Sequence, residues 1–219
     1  MFQKVIIIGC PGAGKSTFAR RLSDKTHLPL YYLDMLWHKP DKTNVDRNTF
    51  DDKLKEIISG SEWIIDGNYG RTLEMRIQAC ETIFLLDLPV EECLAGAKSR
   101  IGKQRVDMPW IETKFDDEFR QWILDFPKHE LPIVYELLGK YKNQKNIYVF
   151  HSRAEIDEYL AKTFGWILES AGIKRVIRTR IDWAKREMLL VRRARRWGRD
   201  GNRKIGSFKG DQLWKIKAF

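Results

Sequence analysis

Gly9-Cys10-Pro11-Gly12-Ala13-Gly14-Lys15-Ser16 follows directly on the apolar run Val5-Ile6-Ile7-Ile8. The β-branched run reads as a buried strand, and residues 17–25 carry apolar side chains at 18, 19 and 22, the spacing of one helix face. A strand that feeds a glycine-rich turn into a helix aims several backbone N–H groups and the positive end of the helix at one spot, and that spot binds phosphate. By composition alone the GxxxxGKS pattern would arise in roughly one chain of this length in a hundred, and the strand and helix on its flanks make chance rarer still. The expected phosphate ligands are Gly9, Pro11, Gly12, Ala13, Gly14, Lys15, Ser16 and Thr17. Lys15 can reach the β- and γ-phosphates, and the Ser16 hydroxyl can take a place on Mg²⁺.

The chain has 219 residues, 43% hydrophobic and 32% charged, enough for one α/β domain with a sizeable core and an appendage. No apolar run approaches the ~20 residues that span a bilayer. The N-terminal apolar run belongs to the phosphate-loop strand rather than to a secretory signal, so the expected location is cytoplasmic. Cys10, Cys80 and Cys93 are odd in number and lack CxxC spacing, which argues against a disulfide framework and a zinc site. Cys10 lies near backbone donors that favour a thiolate, and equally reads as a small residue filling a variable loop position.

The net charge of +10 is unevenly spread. Residues 165–219 hold 16 Lys+Arg against 5 Asp+Glu, or +11, leaving 24 against 25, or −1, for residues 1–164. This shift marks a domain boundary near Gly165, with a phosphate-loop domain before it and a basic tail after it.

Along the first domain, Leu28 to Asp34 reads as a short strand ending in an acid. Strand ends on this side of a parallel sheet face the ligand crevice, so Asp34 is a candidate for holding a phosphate acceptor; a helix cap or turn acid before a loop over 35–48 is the alternative. Residues 48–59 form an amphipathic helix with Gly60 as its cap. Trp63-Ile64-Ile65-Asp66 is a third strand, and a carboxylate at its tip beside the phosphate loop is placed to hold Mg²⁺ or its waters. Just beyond lie Arg71 and Arg76. A guanidinium there could grip an acceptor's phosphate or carboxylate, with Arg71 favoured by its glycine-flanked loop and Arg76 equally readable as a helix charge.

Residues 82–86 form a fourth strand, and Asp87-Leu88-Pro89 leads into a helix over 90–99. The run Arg100-Ile101-Gly102-Lys103-Gln104-Arg105 then breaks the helical pattern. It reads as a flap whose Arg100 and Arg105 close over the triphosphate, or as a solvated charge run. Residues 115–141 are helical, kinked or split by Pro127 and Pro132, with the aromatic stripe Phe119, Trp122, Phe126 and Tyr135 read as core. Residues 145–150 are a fifth strand. The loop after it is a common resting place for a nucleotide base, which makes Arg153 or His151 a candidate against adenine and Ser152 a candidate helix cap.

Five strands alternating with helices imply a doubly wound parallel sheet. Gly9 to Ser16, Tyr32-Leu33-Asp34, the segment Trp63 to Leu73, Leu86-Asp87-Leu88-Pro89, Phe115-Asp116 and Phe126-Pro127 resemble the adenylate-kinase-like proteins often labelled DNA topology modulation (FlaR-like) proteins. The resemblance covers residues 1–164 and implies a nucleoside-monophosphate-kinase-like five-stranded sheet of order 2-3-1-4-5, with a short flap in place of a full lid. It also implies ATP and Mg²⁺ as cofactors. One extra residue stands before Arg71, and Leu33-Asp34 replaces the usual nucleotide-gripping Thr-Gly. An acid there is more like shikimate- or gluconate-type kinases, which hold a hydroxyl acceptor.

The expected activity is phosphotransfer from ATP to a small acceptor, either a nucleotide or a hydroxyl compound. No Asn-Lys-x-Asp stretch exists to read guanine, which sets a regulatory GTPase aside. The alternative is a regulatory or nucleic-acid-associated ATP-binding protein that uses the tail. Projected as a helix from Ile173, the cations Lys174, Arg175, Arg178, Lys185, Arg186, Arg192, Arg193 and Arg196 gather on one side, and Ile173, Val176, Ile177, Ile181, Ala184, Met188 and Val191 fill much of the other. A basic amphipathic helix of this kind packs on a domain, or binds nucleic acid or an anionic membrane surface. The last stretch, 198–219, has little pattern.

Overall fold

A computed structural model describes residues 2–170, with side chains through 165. Residues through Gly165 form one compact unit. The basic helix expected over 173–191 and the patternless stretch 198–219 lie outside the described residues.

Five parallel strands, β1 (Lys4–Gly9), β2 (Leu30–Tyr32), β3 (Trp63–Asp66), β4 (Thr82–Leu86) and β5 (Asn146–Phe150), form one sheet in the order β2-β3-β1-β4-β5. The glycine-rich stretch therefore follows the central strand, which pairs with β3 from Lys4↔Trp63 and with β4 from Val5↔Thr82. Between the strands run α1 (Lys15–Thr26), α2 (Leu33–Trp37), α3 (Arg47–Ser59), α4 (Leu73–Ala79), α5 (Val90–Lys98), α6 (Asp117–His129) and α7 (Leu131–Tyr141), and α8 (Arg153–Ser170) follows β5.

Successive strand residues point to opposite faces, and both faces are covered. Val5 and Ile7 pack with Phe18 and Leu22 of α1, Cys93 of α5, Phe126 of α6 and Leu160 of α8. Ile6 and Ile8 pack with Phe50 and Leu54 of α3, Ile77 of α4 and Leu138 of α7. This double burial is why β1 reads as an unbroken apolar run rather than an alternating one. Phe164 closes the first layer, its ring centroid 6.3 Å from that of Phe2.

Several expectations change in detail. β2 ends at Tyr32, paired with Asp66 at the tip of β3, and Leu33 opens α2. Asp34 thus stands in the first turn of a short helix rather than at a strand end, and the 35–48 stretch is partly helical. Asp46 caps α3 by accepting from the Thr49 N–H at 2.9 Å. Gly60 sits at the other end of α3 with φ −62°, so its freedom to turn left-handed is not used.

The long helical stretch divides at Glu130, with Pro132 in the first turn of α7, while Pro127 lies inside α6. A proline there has no N–H for the Ile123 carbonyl four residues back. The buried Cys10 thiol faces that carbonyl at 4.0 Å. Contact with Cys93 and burial push the Cys10 thiol far up, so Cys10 is a packed thiol and not a thiolate. Of the aromatic stripe only Phe126 is buried; Phe119 packs partly against the core, whereas Trp122 and Tyr135 are exposed. Tyr135 reaches back to donate its hydroxyl to Asp87 at 2.6 Å.

Candidate functional site

The loop from Gly9 to Ser16 leans on α5. Gly12 has φ +86°, and a Cβ there would stand 2.0 Å from the Cys93 carbonyl oxygen; from the other side, a Cβ on Gly96 would stand 2.2 Å from the Gly12 carbonyl oxygen. Only glycine at both positions allows the loop and α5 to approach so closely. The loop is also tied to the segment after β3, where the Asn68 Oδ1 accepts from the Gly9 N–H at 3.1 Å.

Around this loop lies a cavity of about 540 Å³, lined among others by Gly12 to Thr17, Arg100, Arg105 and Arg153. Lys15 stands at its head, its ammonium donating to the carbonyls of Gly9 at 2.8 Å and Cys10 at 3.0 Å. Burial lowers the Lys15 pKa, and Asp66 and Asp34 pull it back up. Asp66, at the tip of β3, is 5% exposed. Burial raises its carboxyl to about 6 against the opposing pull of Lys15 and Ser16, and its buried Oδ1 has no hydrogen-bond partner. Ser16 and Asp66 make an all-oxygen donor pair to which phosphate oxygens and waters could add, a set that fits Mg²⁺. The orphaned Oδ1 is the acceptor such an ion would use. No group of three His, Cys, Asp or Glu side chains able to hold a metal ion occurs among the described residues.

The flap residues part company. Arg105 is mostly buried and doubly held. Its Nε and Nη2 donate to the two oxygens of Asp107 at 3.1 and 2.9 Å, and its Nη1 donates to Glu112 at 2.6 Å. Burial alone would raise Asp107, but Arg105 and Ser16 outweigh it and hold that carboxyl at about 2. Arg100 has a buried Nε with no hydrogen-bond partner, and its guanidinium lies 6.0 Å from the Phe119 ring centre. Burial and the neighbouring Arg105 depress it. Farther along, Trp110 sets its ring edge-on to His38, 5.0 Å between centroids, joining the flap to the loop after α2.

Asp34 accepts from the Tyr69 hydroxyl at 2.9 Å. Tyr69 is a non-glycine residue at positive φ, 32°. Its ring stacks on Phe50 at 5.2 Å. The two arginines past β3 are placed otherwise than the sequence suggests. Arg71 closes both Nη groups on the Asp51 carboxylate, at 2.7 and 2.5 Å. Arg76 is fully buried, donating to the carbonyls of Gly67 at 2.8 Å, Tyr69 at 3.1 Å and Thr72 at 3.3 Å, and also to that of Asn68. Neither lines the cavity. Arg76 instead holds the loop that presents Tyr69.

Arg153 lines the far end of the cavity and lies against Glu92, 3.7 Å between charged groups. The Ser152 hydroxyl accepts from the Glu155 N–H at 3.2 Å, so the capping role applies, and His151 is drawn toward Asp87. Sequence reasoning missed Asp107, Glu112 and Tyr69. The flap has no regular period to say which acids turn inward, and only the position of Asp107 two residues from Arg105 hinted at a pair.

No protein-family model matches the chain. Adenylate kinases of Thermotoga neapolitana and Thermotoga maritima are 29% identical to it over 89 residues, 40% of this chain and 40% of theirs. The chain thus matches about two fifths of the length of these relatives. Among solved structures, the shikimate kinase from Acinetobacter baumannii in complex with shikimate superposes with a TM-score of 0.50 at 16% identity, over 78% of this chain and 95% of that one. No helix among the described residues is long and apolar enough to cross a membrane. What the chain shares with that kinase is the fold, a phosphate loop after the central strand of a 2-3-1-4-5 parallel sheet with helices on both faces.

Proposed function

We propose that the chain is an ATP-dependent phosphotransferase acting on a small acceptor. The observation that carries this reading is the convergence of Lys15, Ser16, Asp66 and Arg100 with Asp34 at one end of the sheet. Lys15, Ser16 and Arg100 line one cavity, and Tyr32 pairs with Asp66, so Asp34, two residues on, stands at the same end of the sheet. Phosphoryl transfer asks the protein mainly for positioning and charge compensation. The loop N–H groups and Lys15 would hold the β- and γ-phosphates. Arg100, the flap cation with unused donor capacity, would face the charge that builds on the transferred group. Arg153 would lie toward the base. Ser16 and Asp66 would hold Mg²⁺, which supplies further neutralisation of phosphate charge when bound. Asp34, aligned by Tyr69, would orient the acceptor and take its proton. Adenylate kinases and a shikimate kinase among the similar proteins support a phosphotransferase kind without naming the acceptor.

ADP release from Mg-ATP, measured across acceptor classes, tests this reading. A chain that binds ATP yet transfers phosphate to nothing would overturn it in favour of a regulatory ATP-binding role. The charge of the tail favours that second reading, as a nucleic-acid-associated protein of the DNA topology modulation type.

A further inference from the structure

Resting on the phosphotransferase reading, we infer that the acceptor is an uncharged hydroxyl compound and not a phosphate- or carboxylate-bearing one. The charged side chains past β3 already have partners within the chain. An anionic acceptor needs guanidinium forks facing it, because a fixed bidentate donor is what holds a phosphate or carboxylate in register. Arg76 is fully buried and donates to the carbonyls of Gly67, Asn68, Tyr69 and Thr72. Turning it outward would leave those carbonyls unpaired in the core. Arg71 is closed on Asp51 in a two-bond fork. An incoming anion would only exchange one carboxylate partner for another and strand Asp51.

What faces the acceptor side is instead a carboxylate with a phenol. Tyr69 donates to one oxygen of Asp34, leaving the second free to accept from a hydroxyl. The ring of Tyr69 is backed by the buried Phe50 and meets the edge of Trp37 at 6.3 Å, so the half-buried rings of Tyr69 and Trp37 border the acid. Tyr69 holds this place at φ 32°, a left-handed conformation uncommon for an aromatic residue. Arg76 and Thr72 pin its carbonyl. The buried guanidinium thus builds the acceptor surface rather than gripping the acceptor. A sugar, a cyclitol or the sugar of a nucleoside presents hydroxyls to such an acid and a carbon face to such rings. In the transfer the acceptor oxygen bonds to the γ-phosphorus as the bond to the β–γ bridging oxygen breaks. ADP leaves with that electron pair, and the hydroxyl proton passes to Asp34.

The test presents Mg-ATP and the full chain with three panels: phosphorylated compounds including nucleoside monophosphates, hydroxy acids, and uncharged compounds divided into sugars, cyclitols and nucleosides. ADP release is expected only with the uncharged panel, and its three divisions identify the source. Tyr69→Phe is expected to raise the KM for the accepted compound about tenfold, the worth of a hydrogen bond to a charged group, with ATP affinity unchanged. Preferred turnover of a phosphorylated compound or hydroxy acid would overturn the inference while leaving the phosphotransferase reading intact. ATP binding without transfer to any panel would overturn that reading and this inference with it.

Discussion

Arg105 and Asp107 face each other across a two-bond fork, 3.1 and 2.9 Å, with both side chains nearly buried. The pair folds the irregular flap back on itself, and both residues line the cavity around the glycine loop. Asp107→Ala leaves a buried guanidinium with Glu112 as its remaining acid, and should lower unfolding stability by about 2–4 kcal/mol. Because the native carboxyl is held at about 2, below its ordinary 3.8, its contribution is complete above the ordinary value and is lost as pH falls toward 2. Urea unfolding of both proteins across that acidic range should therefore converge at the low end.

Asp66 titrates in the opposite sense. Its carboxyl is raised to about 6, so the ionised form that would hold Mg²⁺ is depleted as pH drops through that value. Mg²⁺ favours the ionised carboxylate, so saturating Mg²⁺ should move the acid limb of turnover to lower pH, and Asp66→Asn should abolish that shift. Turnover against pH at two Mg²⁺ concentrations is the measurement.

Lys15→Ala should reduce turnover by about 100-fold or more while leaving the far-ultraviolet circular dichroism unchanged. The ammonium donates to the carbonyls of Gly9 and Cys10 beside the cavity and is not part of the apolar core.

Arg76→Gln should cost about 3–5 kcal/mol, because it removes a buried donor set serving four carbonyls. Thermal unfolding reads the loss, and weaker use of the acceptor should accompany it through the displaced Tyr69.

The central strand, the glycine loop and all five strand positions were legible because each rests on local pattern: a β-branched run, a glycine spacing, an acid at a strand tip. Asp66 could be placed for the same reason, since β3 stops where its apolar run stops. Arg71 and Arg76 could not be told apart, because their roles depend on partners such as Asp51 and the Gly67 carbonyl that only the folded chain brings near. Pro127 and Pro132 could not be told apart on the same ground: the split falls at Pro132, and Pro127 stays inside α6. Whether a proline ends a helix depends on what else meets the freed carbonyl, and here a cysteine from the phosphate loop faces it.

The tail can be removed cleanly only at the right place. Phe164 is buried, with Phe2 against its ring and the Lys25 ammonium 5.7 Å from its centre. A chain ending after Gly165 should keep its stability, whereas one ending at Lys162 should lose about 2–3 kcal/mol of aromatic burial. The stable truncation then tests the tail. If the cations beyond residue 165 bind duplex DNA, anisotropy should report an affinity for the full chain that falls steeply with salt, and weak binding throughout for the truncated chain.

β1 lies in the middle of the sheet, between β3 and β4, and its loop is seated on α5. Of the five strands it is the earliest in sequence, so it must wait for both partner strands and for α5. Until β3 is made, Val5 to Ile8 have no partner strand, and until β4 is made one edge of that apolar strand stays open, the kind of edge that pairs with other chains. The phosphate loop cannot take its binding shape before residue 97 has left the exit tunnel. A ligand at this loop could add stability only to a chain whose α5 is already in place, so a fragment that stops short of residue 97 should gain nothing from it.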